Sequence, residues 1–239
     1  TIQDCEFDGQ GKGLPSHAYN NYKILRCNIH GFAEGPRIAG GNVLIQDSFL
    51  HHFVQIGSNH TDAIQQVSGS STSLLHNNIQ VYNPDTGLIG NASFMFGDDS
   101  GSTRGTIVSD NYMNGGNYTV NGGGSGTTTA TAIFRRNKFG RNHRYGIRAN
   151  LGPGVDWDAS NGYLDGTEVP GQSGVGSNVN SAAVRLSTAG SGDFTVAGKC
   201  TTLGTAISGS GDMDLAGLAC ADADVARLHG NRRRGCNER

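Results

Sequence analysis

The chain has 239 residues, of which 38 are glycine and only 16% are charged, with a formal net charge of −2. Ordinary chains hold about 7% glycine, so this composition suits a fold of many tight turns and argues against a helical protein. No stretch is long and apolar enough to span a membrane, and a mildly acidic body gives no sign of nucleic-acid binding.

Taken in chain order, one pattern recurs: an apolar residue, a polar or small residue three later, and an aromatic or aliphatic residue two after that. Ile2-Cys5-Phe7, Ile24-Cys27-Ile29, Leu44-Asp47-Phe49, Leu74-Asn77-Ile79, Ile107-Asp110-Tyr112 and Phe134-Asn137-Phe139 fit it, and Asp158-Asn161-Tyr163 is a weaker seventh copy. The first members are 22, 20, 30, 33, 27 and 24 residues apart. A repeat of this size cannot bury its apolar face alone, and stacking the repeats supplies the core. Helices are excluded because the apolar runs are short and Gly and Asn interrupt every longer window. The expected fold is all-β: a stacked parallel β-solenoid, read as a right-handed parallel β-helix over residues 1–169.

Stacking sets a register. Leu44 is expected between Ile24 and Leu74, and Phe49 between Ile29 and Ile79. The middle positions Cys5, Cys27, Asp47, Asn77, Asp110, Asn137 and Asn161 form a corner column, since Asn and Asp tolerate left-handed backbone and bond their own main chain at turns. Cys5 and Cys27 are neighbours in that column, within reach of a disulfide or standing as two thiols. Each repeat then carries a second short strand, at residues 36–39, 63–67, 93–96, 118–120 and 145–148, followed by a Gly-rich turn such as Gly40-Gly41 or Gly69. Because the chain starts inside a repeat with no cap, it reads as a piece of a longer precursor.

Residues 170–181 read as a Gly/Ser-rich linker. Beyond it, Gly190-Ser191-Gly192-Asp193 recurs as Gly209-Ser210-Gly211-Asp212, 19 residues on, which implies a second set of β repeats over residues 182–226. The tail, residues 227–239, breaks that period and is basic; without it the chain holds 13 basic and 19 acidic residues, or −6. Codons exist for the tail that, read one base later, encode a third copy of the repeat, so a frameshift stands beside a natural basic tail. The nucleotide sequence decides between them.

The Cys27-Asn28-Ile29-His30-Gly31 rung, the Asp62-Ala63-Ile64-Gln65 strand and the Asp165-Gly166-Thr167-Glu168-Val169 segment resemble a secreted actinobacterial type of parallel β-helix within the broad pectate-lyase-like superfold. Residues 182–226 resemble the GIN domain, described as an autotransporter adhesin head, and stop short of a whole domain. The resemblance implies a secreted or cell-surface protein acting on an extended polysaccharide or cell-surface glycan laid along one outer sheet. In the lyases of that superfold, Ca²⁺ on carboxylates or a basic side chain neutralises a uronate while a base removes the proton α to its carboxyl.

The residues that suit such chemistry cluster at mid-stack. His60 and Asp62 place an imidazole and a carboxylate two residues apart at a strand entrance and are the candidate catalytic pair. Glu34, Arg37, Gln65 and Arg148 are the candidate substrate-binding residues, Arg37 or Arg148 serving as uronate clamp. Asp98 and Asp99 are the candidate metal ligands, and their oxygen-rich character suits Ca²⁺. His30, His51 and His52 suggest a metal patch, at a spacing that matches no tight zinc signature. A hydrolase would need two carboxylates at a separation set by its stereochemistry. The reading is a carbohydrate-related protein, expected as a monomer: a polysaccharide lyase or hydrolase or, alternatively, a non-catalytic adhesion or glycan-binding module.

Overall fold

The computed structural model describes residues 1–12, 19–97, 101–122 and 130–164. The expected linker 170–181, the repeats of 182–226 and the tail 227–239 lie outside the described residues, as does the Asp165–Val169 segment. Among the described residues there is no helix, and the strands form three large parallel sheets.

The first sheet takes one strand from each repeat: Ile2–Gln3, Lys23–Leu25, Val43–Gln46, Thr72–Leu75, Thr106–Ser109, Ala132–Arg135 and Val155–Trp157. The second continues each repeat, after a two-residue corner in the first six and a four-residue corner in the last: Glu6–Asp8, Asn28–His30, Phe49–His51, Asn78–Gln80, Tyr112–Asn114, Lys138–Phe139 and Gly162–Tyr163. The third holds Arg37–Ile38, Gln65–Gln66, Phe94–Phe96, Tyr118–Asn121 and Gly146–Ala149, five strands expected from the sequence.

Burial alternates along the first-sheet strands, as in Val43–Gln46, where Val43 and Ile45 are buried and Leu44 and Gln46 are partly exposed. The inward column is Ile2, Ile24, Ile45, Leu74, Val108, Phe134 and Trp157. In the second sheet the column is Phe7, Ile29, Leu50, Ile79, Met113, Phe139 and Tyr163. The expected register therefore holds in four repeats and is one residue off in those of Leu44 and Ile107, where Ile45 and Val108 face inward instead. Phe49 and Tyr112 shift with them, to oppose Asn78. In the last repeat Trp157, not Asp158, takes the first position. A one-residue slip reverses which side chains meet the core, and Ile107, now outward, is 38% exposed.

The corrected register separates the expected corner column into two. One is a buried ladder of Cys27, Ser48, Asn77, Asn111, Asn137 and Asn161. The Cys27 amide donates to Ser48 Oγ (3.1 Å), and the amides of Ser48, Asn77, Asn111 and Asn137 each donate to the Oδ1 of the next member at 2.9–3.1 Å. Each Asn Nδ2 returns a bond to a strand carbonyl, such as Asn77 to Ile45 and Asn137 to Val108. Cys27 is a free buried thiol, so no disulfide joins it to Cys5.

The other column is the residue just before: Asp4, Arg26, Asp47, His76, Asp110 and Arg136, all left-handed with φ of 51–60°. Acid and base alternate along it. Arg26 grips Asp4 at 2.9 and 3.0 Å, His76 lies 3.6 Å from Asp47 and 3.7 Å from Asp110, and Arg136 grips Asp110 twice at 2.8 Å. Side chains repeating at one strand spacing, about 4.8 Å, would repel if all carried one sign, and alternation removes that cost. Arg26 and Asp4 are 28% and 40% exposed. Arg26→Ala is expected to cost under about 1 kcal/mol in a urea melt, because water screens that pair.

The Gly turns stack just as closely. Gly69 has φ +102°, and a Cβ there would stand 1.8 Å from the Gly40 carbonyl oxygen of the preceding repeat.

Candidate functional site

Six of the eight candidate residues, Glu34, Arg37, His60, Asp62, Gln65 and Arg148, lie on or just before the third sheet. Its outward column runs Arg37, Gln65, Met95, Asn121 and Ala149, while the alternate positions Ile38, Gln66 and Phe96 are buried. Arg37 and Gln65 are thus brought side by side. Arg37 is half-buried and makes no hydrogen bond or ion pair among the described residues. Gln65 Nε2 donates weakly to Met95 Sδ at 3.8 Å.

Asp62 and His60 part company. His60 is exposed on the turn and has no hydrogen bond or ion pair among the described residues, whereas Asp62 is 1% exposed. The Asp62 carbonyl accepts the Gly35 amide (2.9 Å), which places the residue alongside Glu34 of the preceding repeat. Asn91 Nδ2 of the following repeat donates to Asp62 Oδ1 at 2.8 Å, and Asp62 Oδ2 has no partner among the described residues. Burial pushes the Asp62 carboxyl up to about 7, and the charge of Glu34 adds to this against the bond from Asn91. The amide run continues, since Asn117 Nδ2 reaches Asn91 Oδ1 at 3.4 Å.

Arg148 does not join Arg37. Its register column is Phe94, Val120, Arg148, the first two buried in the core. Its guanidinium covers the Trp157 ring at 4.9 Å, beside a cavity of about 330 Å³ that both residues line, and burial lowers its pKa. Asp98 and Asp99 lie outside the described residues.

The three histidines do come together. His30 and His51 rings stack with centroids 5.2 Å apart, and His51 and His52 meet edge to face at 4.6 Å with their Nδ1 atoms in contact. Their Nε2 atoms are taken by Glu6 (3.0 Å), Asn28 (2.7 Å) and Asp85 (3.4 Å). Burial, with His52 and His30 adjacent, keeps His51 neutral. Among the described residues no group of three or more His, Cys, Asp or Glu is placed to hold a metal ion.

The sequence reading passed over two tyrosines and an arginine. Tyr118 opens the strand beside Gly146, its ring 5.6 Å from that of Tyr145, which is 66% exposed with the Arg144 guanidinium 5.9 Å from its centroid. Only the Tyr-before-strand spacing of 27 residues pointed to that pairing.

Comparison with protein families, curated proteins and solved structures returns no match to this chain.

Proposed function

We propose that the chain is a right-handed parallel β-helix, secreted or held at a cell surface, that binds an extended glycan along the outer face of its third sheet without cleaving it. The observation that carries this reading is the register-aligned column Arg37, Gln65 and Asn121. It sets Arg37 and Gln65 one strand spacing of about 4.8 Å apart, with Asn121 two strands beyond Gln65 across Met95 and the Tyr118 and Tyr145 rings at the entrances of the last two strands. Amides and guanidinium donors serve sugar hydroxyls, and aromatic faces serve the apolar face of a pyranose. Ligand sites combine such apolar walls with a few placed polar groups.

An acid–base role needs a group that can reach the ligand. Asp62 titrates near neutrality, yet its open oxygen is buried, and His60 stands apart from it. The adhesin-like Gly-Ser-Gly-Asp repeats of the sequence favour the binding reading as well.

Electrophoresis through gels containing a panel of neutral and acidic polysaccharides tests this. At least one glycan should retard the protein, and Arg37→Ala with Gln65→Ala should weaken that retardation several-fold. In parallel, absorbance of unsaturated uronates should stay flat with Ca²⁺ and with chelator. A protein retarded by nothing in the panel is not a glycan binder, and a chelator-sensitive rise in absorbance makes it a lyase.

A further inference from the structure

His51 ends a strand of the second sheet, on a different sheet from the glycan column, and its ring is held by packing. Register sets it beside His30 of the preceding repeat. The His30 ring stacks on it at 5.2 Å and the Phe49 ring at 3.8 Å. In a continuing strand His52 would point to the opposite face. Its left-handed backbone, with φ +48°, ends the strand instead, and its ring comes back to meet His51 edge to face. His51 is 8% exposed and the His52 side chain 25%, so solvent reaches the pair from the His52 side.

The far nitrogens of the two rings fix what the near ones can do. A neutral imidazole has one N–H and one lone pair. His51 Nε2 lies 2.7 Å from Asn28 Oδ1, and the Asp85 carboxylate stands 3.4 Å from His52 Nε2. Both oxygens only accept, so each favours the proton on the Nε2 it faces and leaves a lone pair on Nδ1. Those two Nδ1 atoms are in contact with each other. Two facing lone pairs repel when nothing lies between them, and a cation there turns the repulsion into two bonds. Metal-bound histidine has the same outward pattern, its second nitrogen donating to a carboxylate or carbonyl. His30 supplies no third ligand, because its nitrogens face Glu6 at 3.0 Å and Asp8 at 3.8 Å.

We infer that the Nδ1 atoms of His51 and His52 form a two-coordinate site for Cu(I). Imidazole suits copper, and Cu(I), with a filled d shell, is satisfied by two nitrogen donors in line. Zn²⁺ takes three or four protein ligands, and among the described residues no group of three or more His, Cys, Asp or Glu is placed to supply them. Entry of the ion parts the two rings. His52 is the one that moves, since it lies past the end of its strand and is partly exposed, whereas His51 is stacked against Phe49 and His30. Asn28 and Asp85 keep the Nε2 protons in place and so keep both Nδ1 lone pairs turned to the metal. The site stands independently of the glycan-binding reading.

Nitrogen-15 NMR of the full chain with labelled histidine tests this. Accessible thiols are alkylated first, because thiolates also take soft ions. Cu(I) is added without oxygen, and Ag(I), which has the same charge and a filled d shell, is added to a second sample. Before addition both rings should carry their proton on Nε2. One equivalent of either ion should then shift the Nδ1 signals of His51 and His52 and leave that of the exposed His60 unmoved. His52→Asn keeps a residue that tolerates the left-handed turn and should abolish the shift at His51. Asp85→Ala should weaken the affinity about tenfold, as loss of such a supporting contact does elsewhere. A proton on either Nδ1 that neither ion displaces marks a plain hydrogen bond between the rings and overturns the site. An undiminished shift at His51 in His52→Asn overturns it too, and Zn²⁺ held as tightly as Cu(I) overturns the choice of ion. Unchanged thermal unfolding of the variants certifies that they fold.

Discussion

Asn111→Ala should cost about 4–6 kcal/mol in a urea melt, in the range reserved for broken buried networks. Asn111 is fully buried, and its Oδ1 accepts from both the amide (2.9 Å) and the Nδ2 (3.0 Å) of Asn77. Its Nδ2 donates to the Leu74 and Ser109 carbonyls at 2.9 and 3.0 Å and contacts Asn137 Oδ1 at 3.0 Å. Truncation strands two donors of Asn77 and thins the supply to two carbonyls, and each orphaned buried group costs about 1–3 kcal/mol. Asn111→Asp is the sharper test. It keeps the acceptor for Asn77 but sets a carboxylate against two carbonyl oxygens, so it should also destabilise strongly at neutral pH and partly recover in acid. A loss under about 1 kcal/mol for Asn111→Ala, as at an ordinary surface site, would mean that the ladder decorates the corner without supporting it.

Asn111 also shows where the sequence stopped being readable. Spacing alone exposed the repeat, the second strands and the Gly turns, because each leaves a compositional mark. It did not distinguish Asp47 from Ser48 or Asp110 from Asn111, since both members of each pair suit a corner. The choice depended on which residue of the runs Val43-Leu44-Ile45 and Ile107-Val108 faces inward, and in an apolar run the period-2 signal vanishes. The structure resolves it through backbone conformation. The left-handed positions carry ionic side chains that reach solvent and one another, and the following position turns inward, where only a small or amide side chain can satisfy two neighbouring repeats.

The site was legible in part for a related reason. Arg37 and Gln65 were both named as candidates, but the register of their short strands reads from sequence only to within a residue, and it is the strand pairing that places them in one column. His60 and Asp62 are two residues apart, but the turn ends between them, and proximity in sequence became opposite exposure in the fold. Arg148 failed for a positional reason. It lies one residue before the outward column member Ala149, so its guanidinium turns toward Trp157. Tyr145 left only its 27-residue spacing from Tyr118, and Arg144 no mark at all, because a basic residue in a turn looks the same whether or not the turn presents it.

Asp62→Asn should stabilise the protein above neutral pH and remove a pH dependence that the wild type carries. The Asp62 carboxyl is raised from its ordinary 3.8 to about 7 by burial, with Glu34 beside it. Between those values the native state holds a proton that the unfolded chain has released, so stability falls as pH rises through that window and is flat above it. Below about pH 4 both states are protonated and the full contribution is present. The displacement corresponds to about 4 kcal/mol as an upper bound. Asparagine copies the neutral acid, still accepts from Asn91 and cannot ionise, and its new Nδ2 donor, set where Oδ2 has no partner, costs about 1–3 kcal/mol of that gain. The difference between variant and wild-type unfolding free energies, followed by urea melts from pH 4 to 8, should therefore rise with pH and level off near 7. A flat difference would place Asp62 in contact with water and restore it as a candidate acid–base group. A rising one identifies a buried carboxyl whose proton tunes the stability of the third sheet, beside the face on which a glycan would lie.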